Sequence, residues 1–131
     1  RRGRAMLSPG PTTRIFVGLD PVDMRGSFDA LAGHVRRLHR EPLDGHLYLF
    51  VNRKRRLLKA LWFDRTGWAL YSKRLERGTF ELPQPTGDAR QVQVDPAQLA
   101  MILEGIDLRA RRRLRYQRPP RSPTSPTARS P

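Results

Sequence analysis

The chain has no cysteine, three lysines and no long apolar run. The first absence excludes disulfides and thiolate metal sites. The third excludes a membrane-crossing helix, which needs roughly 20 consecutive apolar residues. No Walker A or dinucleotide-type glycine pattern occurs, and no nucleophile elbow supports a Ser–His–acid triad. Arg1 to Thr13 lacks an apolar signal-peptide core, so a cytoplasmic location is expected; Met6 is a candidate native start. Apolar residues are 37% of 131, below the share usual in compact domains. One domain is expected, with part of the chain outside its core.

Acidic residues are missing from both ends. Arg1 to Arg14 carries four basic residues and no acid, and Arg109 to Pro131 carries eight and no acid. The stretch between them holds the other 14 basic residues and all 12 acids. Most of the net charge of +14 therefore sits on two arms around a nearly neutral body. Such a body with cationic arms suits a polyanion, because each neutralised phosphate releases counterions. The cations are arginine at 23 of 26 positions, a bias that a GC-rich coding sequence also produces.

The periodicities describe an α+β domain over residues 14–108, with disordered basic segments at 1–13 and 109–131. Arg14 to Leu19 reads as a short apolar strand. Asp20 to Asp23 turns, and Asp23 or Ser27 is placed to cap a helix. Phe28, Leu31, Val35 and Leu38 recur on one helical face, and this helix should stop before Pro42. His46 to Asn52 is apolar on both faces, as in a strand buried on both sides. Arg53 to Arg56 is a polar turn, Leu57 to Asp64 a further strand, and Arg65 to Gly67 a tight turn with Gly67 suited to positive φ. Trp68 to Leu75 follows as a strand. Gly78 to Leu82 and Val92 to Val94 are candidates for short strands. Such short connections favour antiparallel pairing. Asp95-Pro96-Ala97-Gln98 is a helix start with an acidic N-cap, Pro at N1 and Gln at N3. Leu99, Ile102 and Leu103 form its buried face, and Gly105 ends it. The expectation is an antiparallel sheet of four to five strands with two packed helices.

Candidate chemistry is sparse. A metal-dependent nuclease needs converging carboxylates, for which Asp20, Asp23, Asp64, Glu76 and Glu81 are available. Capping and turn roles account for the three aspartates. His34, His39 and His46 lack zinc-site spacing. Glycines 18, 26 and 33 read as ordinary turn or helix residues. No catalytic residue, metal site, cofactor or small-molecule substrate is expected. The candidate binding groups are Arg53, Lys54, Arg55 and Arg56 at the turn, extended by Lys73, Arg74 and Arg77, as phosphate-facing cations. The competing reading is a solvated turn with edge charges that block aggregation. Trp62, Phe63, Trp68 and Tyr71 read as core, with stacking on bases as the alternative.

Five stretches occur in a recognisable order. They are Asp-Met-Arg-Gly-Ser-Phe-Asp-Ala-Leu-Ala (Asp23 to Ala32), Asp-Gly-His-Leu-Tyr-Leu-Phe (Asp44 to Phe50), Leu-Lys-Ala-Leu-Trp-Phe-Asp (Leu58 to Asp64), Lys-Arg-Leu-Glu-Arg-Gly-Thr-Phe (Lys73 to Phe80) and Gln-Leu-Ala-Met-Ile-Leu-Glu-Gly-Ile-Asp (Gln98 to Asp107). Over Ile15 to about Arg115 the chain resembles the TnpB accessory proteins of the insertion-sequence-66 family of bacterial transposable elements, which share only a name with the RNA-guided nucleases. The sequence departs from that pattern in lacking a second basic residue after Arg25 and in its long Pro-Ser-Arg end. The resemblance implies a non-catalytic accessory factor for DNA transposition. It implies a nucleoid-associated setting and three partners: DNA at the element ends, the separate transposase that carries the catalytic acids, and the element's other accessory protein. It supplies no site residues. An adaptor that binds the transposase without touching DNA is the alternative.

Overall fold

The computed structural model of the protein describes residues 10–85 and 87–105. Most of the two basic arms, and residues 106–108 of the expected domain, lie outside the described residues.

A five-stranded mixed sheet forms the middle layer. Its strands are β1 (Ile15–Gly18), β2 (Leu47–Val51), β3 (Leu57–Phe63), β4 (Trp68–Arg74) and β5 (Gln91–Val94), in the order β4-β3-β2-β1-β5. Helix α1 (Phe28–Arg37) lies between β1 and β2 in the chain, and α2 (Pro96–Glu104) follows β5. The expected α+β architecture of five strands and two helices is therefore present.

One pairing differs from the antiparallel expectation. β1 and β2 run parallel, with Ile15 opposite Leu47 and Val17 opposite Leu49. The physical reason is the length of the connection. A parallel return needs a crossover of a dozen or more residues, usually helical, and α1 lies within the segment joining these strands. The β1–β5, β2–β3 and β3–β4 pairs are antiparallel. Phe16 and Tyr48 are register partners on this parallel pair, and their rings stack with centroids 5.5 Å apart.

Alternation along the strands divides the core between two faces. On one face Phe16, Tyr48, Phe50 and Leu61 pack with Leu31, Ala32, Val35 and Leu38 of the α1 region. On the other, Ile15, Val17, Leu49, Val51, Leu58 and Ala60 pack with Leu99 and Ile102 of α2. Both faces of β2 are covered, as its continuous apolar run requires. Phe28, placed on the buried stripe by periodicity alone, is 38% exposed.

Local signals hold at α2. The Asp95 side chain accepts from the Gln98 N–H while the Gln98 side chain accepts from the Asp95 N–H, Pro96 stands at the first turn, and Gly105 closes the helix at φ +78°. At α1, Ser27 is the N-cap residue but its side chain makes no capping bond, and Asp23 turns to Arg25 instead. Two further expectations change. Gly78 to Leu82 forms no strand; it is an irregular cover that buries Phe80 and Leu82 against the α2 face. In the β3–β4 turn the left-handed residue is Arg65 (φ +86°), not Gly67. Asp64 sets that geometry by accepting from the Thr66 and Gly67 N–H groups and the Thr66 hydroxyl. Gly18 is more than an ordinary turn glycine, since a Cβ there would stand 2.7 Å from two Phe50 ring carbons.

Candidate nucleic-acid interface

The β2–β3 turn is built around Asn52. Its N–H donates to Leu57 O at 3.0 Å, its O accepts from the Arg55 N–H at 2.9 Å, and its side-chain oxygen accepts from the N–H groups of Arg56 and Leu57. The turn places Arg55 in the left-handed region at φ +57°. With the backbone amides satisfied by Asn52, all four cations from Arg53 to Arg56 project into solvent. From the sequence Asn52 reads only as the end of a strand; an Asn directly ahead of a four-residue basic turn is the local signal for its turn role.

The chain after β4 returns to this turn. The Leu75 N–H donates to Arg56 O at 2.9 Å and the Phe80 N–H to Arg55 O at 2.7 Å. Arg74 is the register neighbour of Leu57. Arg74 and Arg77, both exposed, therefore stand at the same end of the sheet as Arg53 to Arg56. The structure thus brings together six of the seven candidate cations.

Lys73 is placed differently. It lies on the α2 face of β4, and its ammonium donates to Leu103 O at 2.7 Å, at the C-terminal end of α2. Cations are favoured there because the last helical carbonyls lack partners and carry the negative end of the dipole. Lys59 has a comparable task on the other face, donating to Met24 O at 2.8 Å.

That bond holds the loop between β1 and α1 beside the basic turn and adds Arg25, a residue not among the sequence candidates. Arg25 grips Asp23 through both carboxylate oxygens, the shortest contact being 2.7 Å. The Arg25 side chain and its backbone N–H hold the Asp23 carboxyl down to about 2. Between this loop and the turn lies a cleft of about 520 Å³. Arg25, Arg53 and Lys54 line it, together with apolar Val22, Met24 and Leu57.

Two ion pairs occur among the described residues: Arg25 with Asp23, and Arg90 with Asp20. The turn cations, Arg74 and Arg77 thus have no carboxylate partner among the described residues. Of the five carboxylates considered for a metal, four serve elsewhere, and Glu76 is exposed between Arg74 and Arg77. Asp20 and Asp23 pair with arginines, Asp64 orders its turn, and Glu81 accepts from Thr79. No group of three or more potential metal-ligating side chains gathers among the described residues. His46 Nδ1 accepts from the Arg14 N–H, and His34 lies 2.8 Å from Arg37. Burial, aided by the Arg37 charge, pushes the His34 pKa down.

The aromatic candidates are half-buried. Trp62 and Tyr71 pack on the α2 face, Trp68 packs on the α1 face, and Phe63 meets Trp68 edge-on with centroids 5.2 Å apart. Among the described residues no helix is long and apolar enough to cross a membrane.

The fold and this surface define a small two-faced α+β domain with a cationic sheet end. A family model described as IS66 Orf2 like protein matches residues 13–113, so the chain belongs to the IS66 Orf2-like family and is an insertion-element accessory protein, in agreement with its motif order. It is similar to the protein printed as "Uncharacterized protein y4hO" of Sinorhizobium fredii (strain NBRC 101917 / NGR234). The two are 42% identical over 105 residues, covering 79% of this chain and 90% of the relative. "Uncharacterized protein y4jC" of the same organism is 29% identical over 115 residues, covering 87% and 97%. No solved structure matches the chain.

Proposed function

We propose that the protein assists transposition by binding DNA at the element ends through the basic end of its sheet, without cutting, while the separate transposase performs the chemistry. The observation that carries this reading is the placement of Arg53, Lys54, Arg55, Arg56, Arg74 and Arg77 at one end of the sheet, each exposed and with no carboxylate partner among the described residues. Arginines on a rigid turn can hold several phosphates at fixed spacing, and their guanidinium groups suit bidentate phosphate contacts. The acid-free arms add further cations on either side of the domain. The transposase and the element's other accessory protein are the expected protein partners.

A salt titration of binding to the element's terminal repeats tests this. If about five phosphates are neutralised, log K should fall against log salt with a slope of about −4 to −5. Replacing Arg53 or Arg56 with Gln should make that slope shallower by about one. No DNA binding at low ionic strength, with retained capture of the transposase, would replace this reading with a protein-only adaptor. Magnesium-dependent strand cutting that is lost in Asp64→Asn would replace it with a nuclease.

A further inference from the structure

The cleft beside the basic turn differs in shape and chemistry from the turn itself. The turn is a run of four exposed charged side chains. The cleft is concave, and half-buried Val22 and Leu57 line it together with buried Met24. Arg25, Arg53 and Lys54 line the same cleft; Asp23 also lines it, but its carboxylate is paired with Arg25, which leaves Arg53 and Lys54 as the cations without an ion pair among the described residues. Its volume of about 520 Å³ lies within the range of about 300–1,000 Å³ typical of small-ligand clefts.

The walls are held by bonds to the sheet. The Val22 N–H donates to Val51 O at 3.0 Å, Lys59 holds Met24 O at 2.8 Å, and Asn52 fastens the opposite turn. The cavity is thus part of the folded domain and not a gap between loose loops.

Apolar surface next to cations fits a group that is flat and apolar at one end and anionic at the other. Resting on the reading that this end of the sheet binds DNA, we propose that the cleft receives the base of an unpaired nucleotide while Arg53 and Lys54 hold its flanking phosphates. A base inside an intact duplex cannot enter, because its faces are covered by its neighbours and its edge is paired. Apolar side chains are suited to sandwich a base that has left the stack, and an already unpaired base avoids the cost of unstacking. Arg53 and Lys54 belong to both the turn and the cleft, so one strand can continue from the first to the second. The protein would then favour the frayed or broken strand ends formed during transposition over continuous duplex.

The test uses the full chain and three DNAs with the same number of phosphates: a blunt duplex, a duplex whose last nucleotides are unpaired, and the same tailed duplex with its unpaired bases removed to leave abasic sugars. The tailed duplex should bind about fivefold more tightly than the other two. A fluorescent adenine analogue at the unpaired position should change emission on binding. Val22→Asn, which replaces apolar lining but keeps the backbone bond to Val51, should reduce the preference for the tail. Arg55→Gln, on the turn but outside the cleft lining, should weaken all three DNAs in proportion. Equal affinity for the tailed, abasic and blunt DNAs would overturn the cleft assignment while leaving DNA binding intact; a cleft that serves an acidic peptide would give that result. No affinity for any of the three would remove the DNA-binding reading itself.

Discussion

The ammonium of Lys73 lies 2.7 Å from the carbonyl oxygen of Leu103, tying β4 to the end of α2. Lys73→Met keeps most of the side-chain stem and removes this charge-assisted bond. The expected loss is about 1–2 kcal/mol, read as a lower urea midpoint with an unchanged m-value. DNA affinity should change far less than in Arg53→Gln, because the Lys73 amine is already occupied at the helix end.

Arg55 separates folding from binding. Its φ of +57° is costly for any residue with a Cβ and easy for glycine. Arg55→Gly and Arg55→Gln remove the same cation. Arg55→Gly should nevertheless be more stable than Arg55→Gln by about 1 kcal/mol, while both weaken DNA binding to the same extent. Parallel urea melts and DNA titrations of the two variants check this.

The reciprocal cap at Asp95 and Gln98 starts the helix that covers one sheet face. Asp95→Ala should cost about 1 kcal/mol. Faster amide exchange should be concentrated in the first turn of α2. Exchange that rose equally across α1 would contradict the local origin of the effect.

The Tyr48 ring is fully buried, and its hydroxyl donates to Asp44 at 2.7 Å. Burial, followed by the hydrogen bond and charge of Asp44, pushes the phenol pKa upward from its ordinary value of 10.0. The native state therefore keeps a proton that the unfolded chain releases. This contribution is complete below pH 10 and is lost as pH rises above it. Tyr48→Phe should cost about 1 kcal/mol near neutrality through the lost hydrogen bond and should flatten the alkaline decline in stability. Chemical denaturation across neutral and alkaline pH measures both effects.

The sequence by itself determined the elements that short-range chemistry controls. Continuous apolar runs located β1 and β2, and apolar-rich or partly alternating runs located β3 and β4, to within a residue or so, because the burial a strand needs is written directly into its own residues. Asp95, Pro96, Gln98 and Gly105 marked α2 at both ends, since caps act within one turn. The basic turn at Arg53 to Arg56 was equally plain, as contiguous charges cannot be buried between two apolar strands.

Tertiary structure decided what depends on direction and on distant neighbours. The strand order, the parallel β1–β2 pair and the placement of α1 and α2 on opposite faces follow from how a helical crossover packs on a twisted sheet, which no local pattern encodes. Only the folded chain brings Arg25 across to Arg53 and Lys54, carries Arg74 and Arg77 to the same end, and turns Lys73 toward Leu103. Side chains on successive strand residues point to opposite faces, so adjacent cations such as Lys73 and Arg74 meet different surroundings once the sheet has two covered sides.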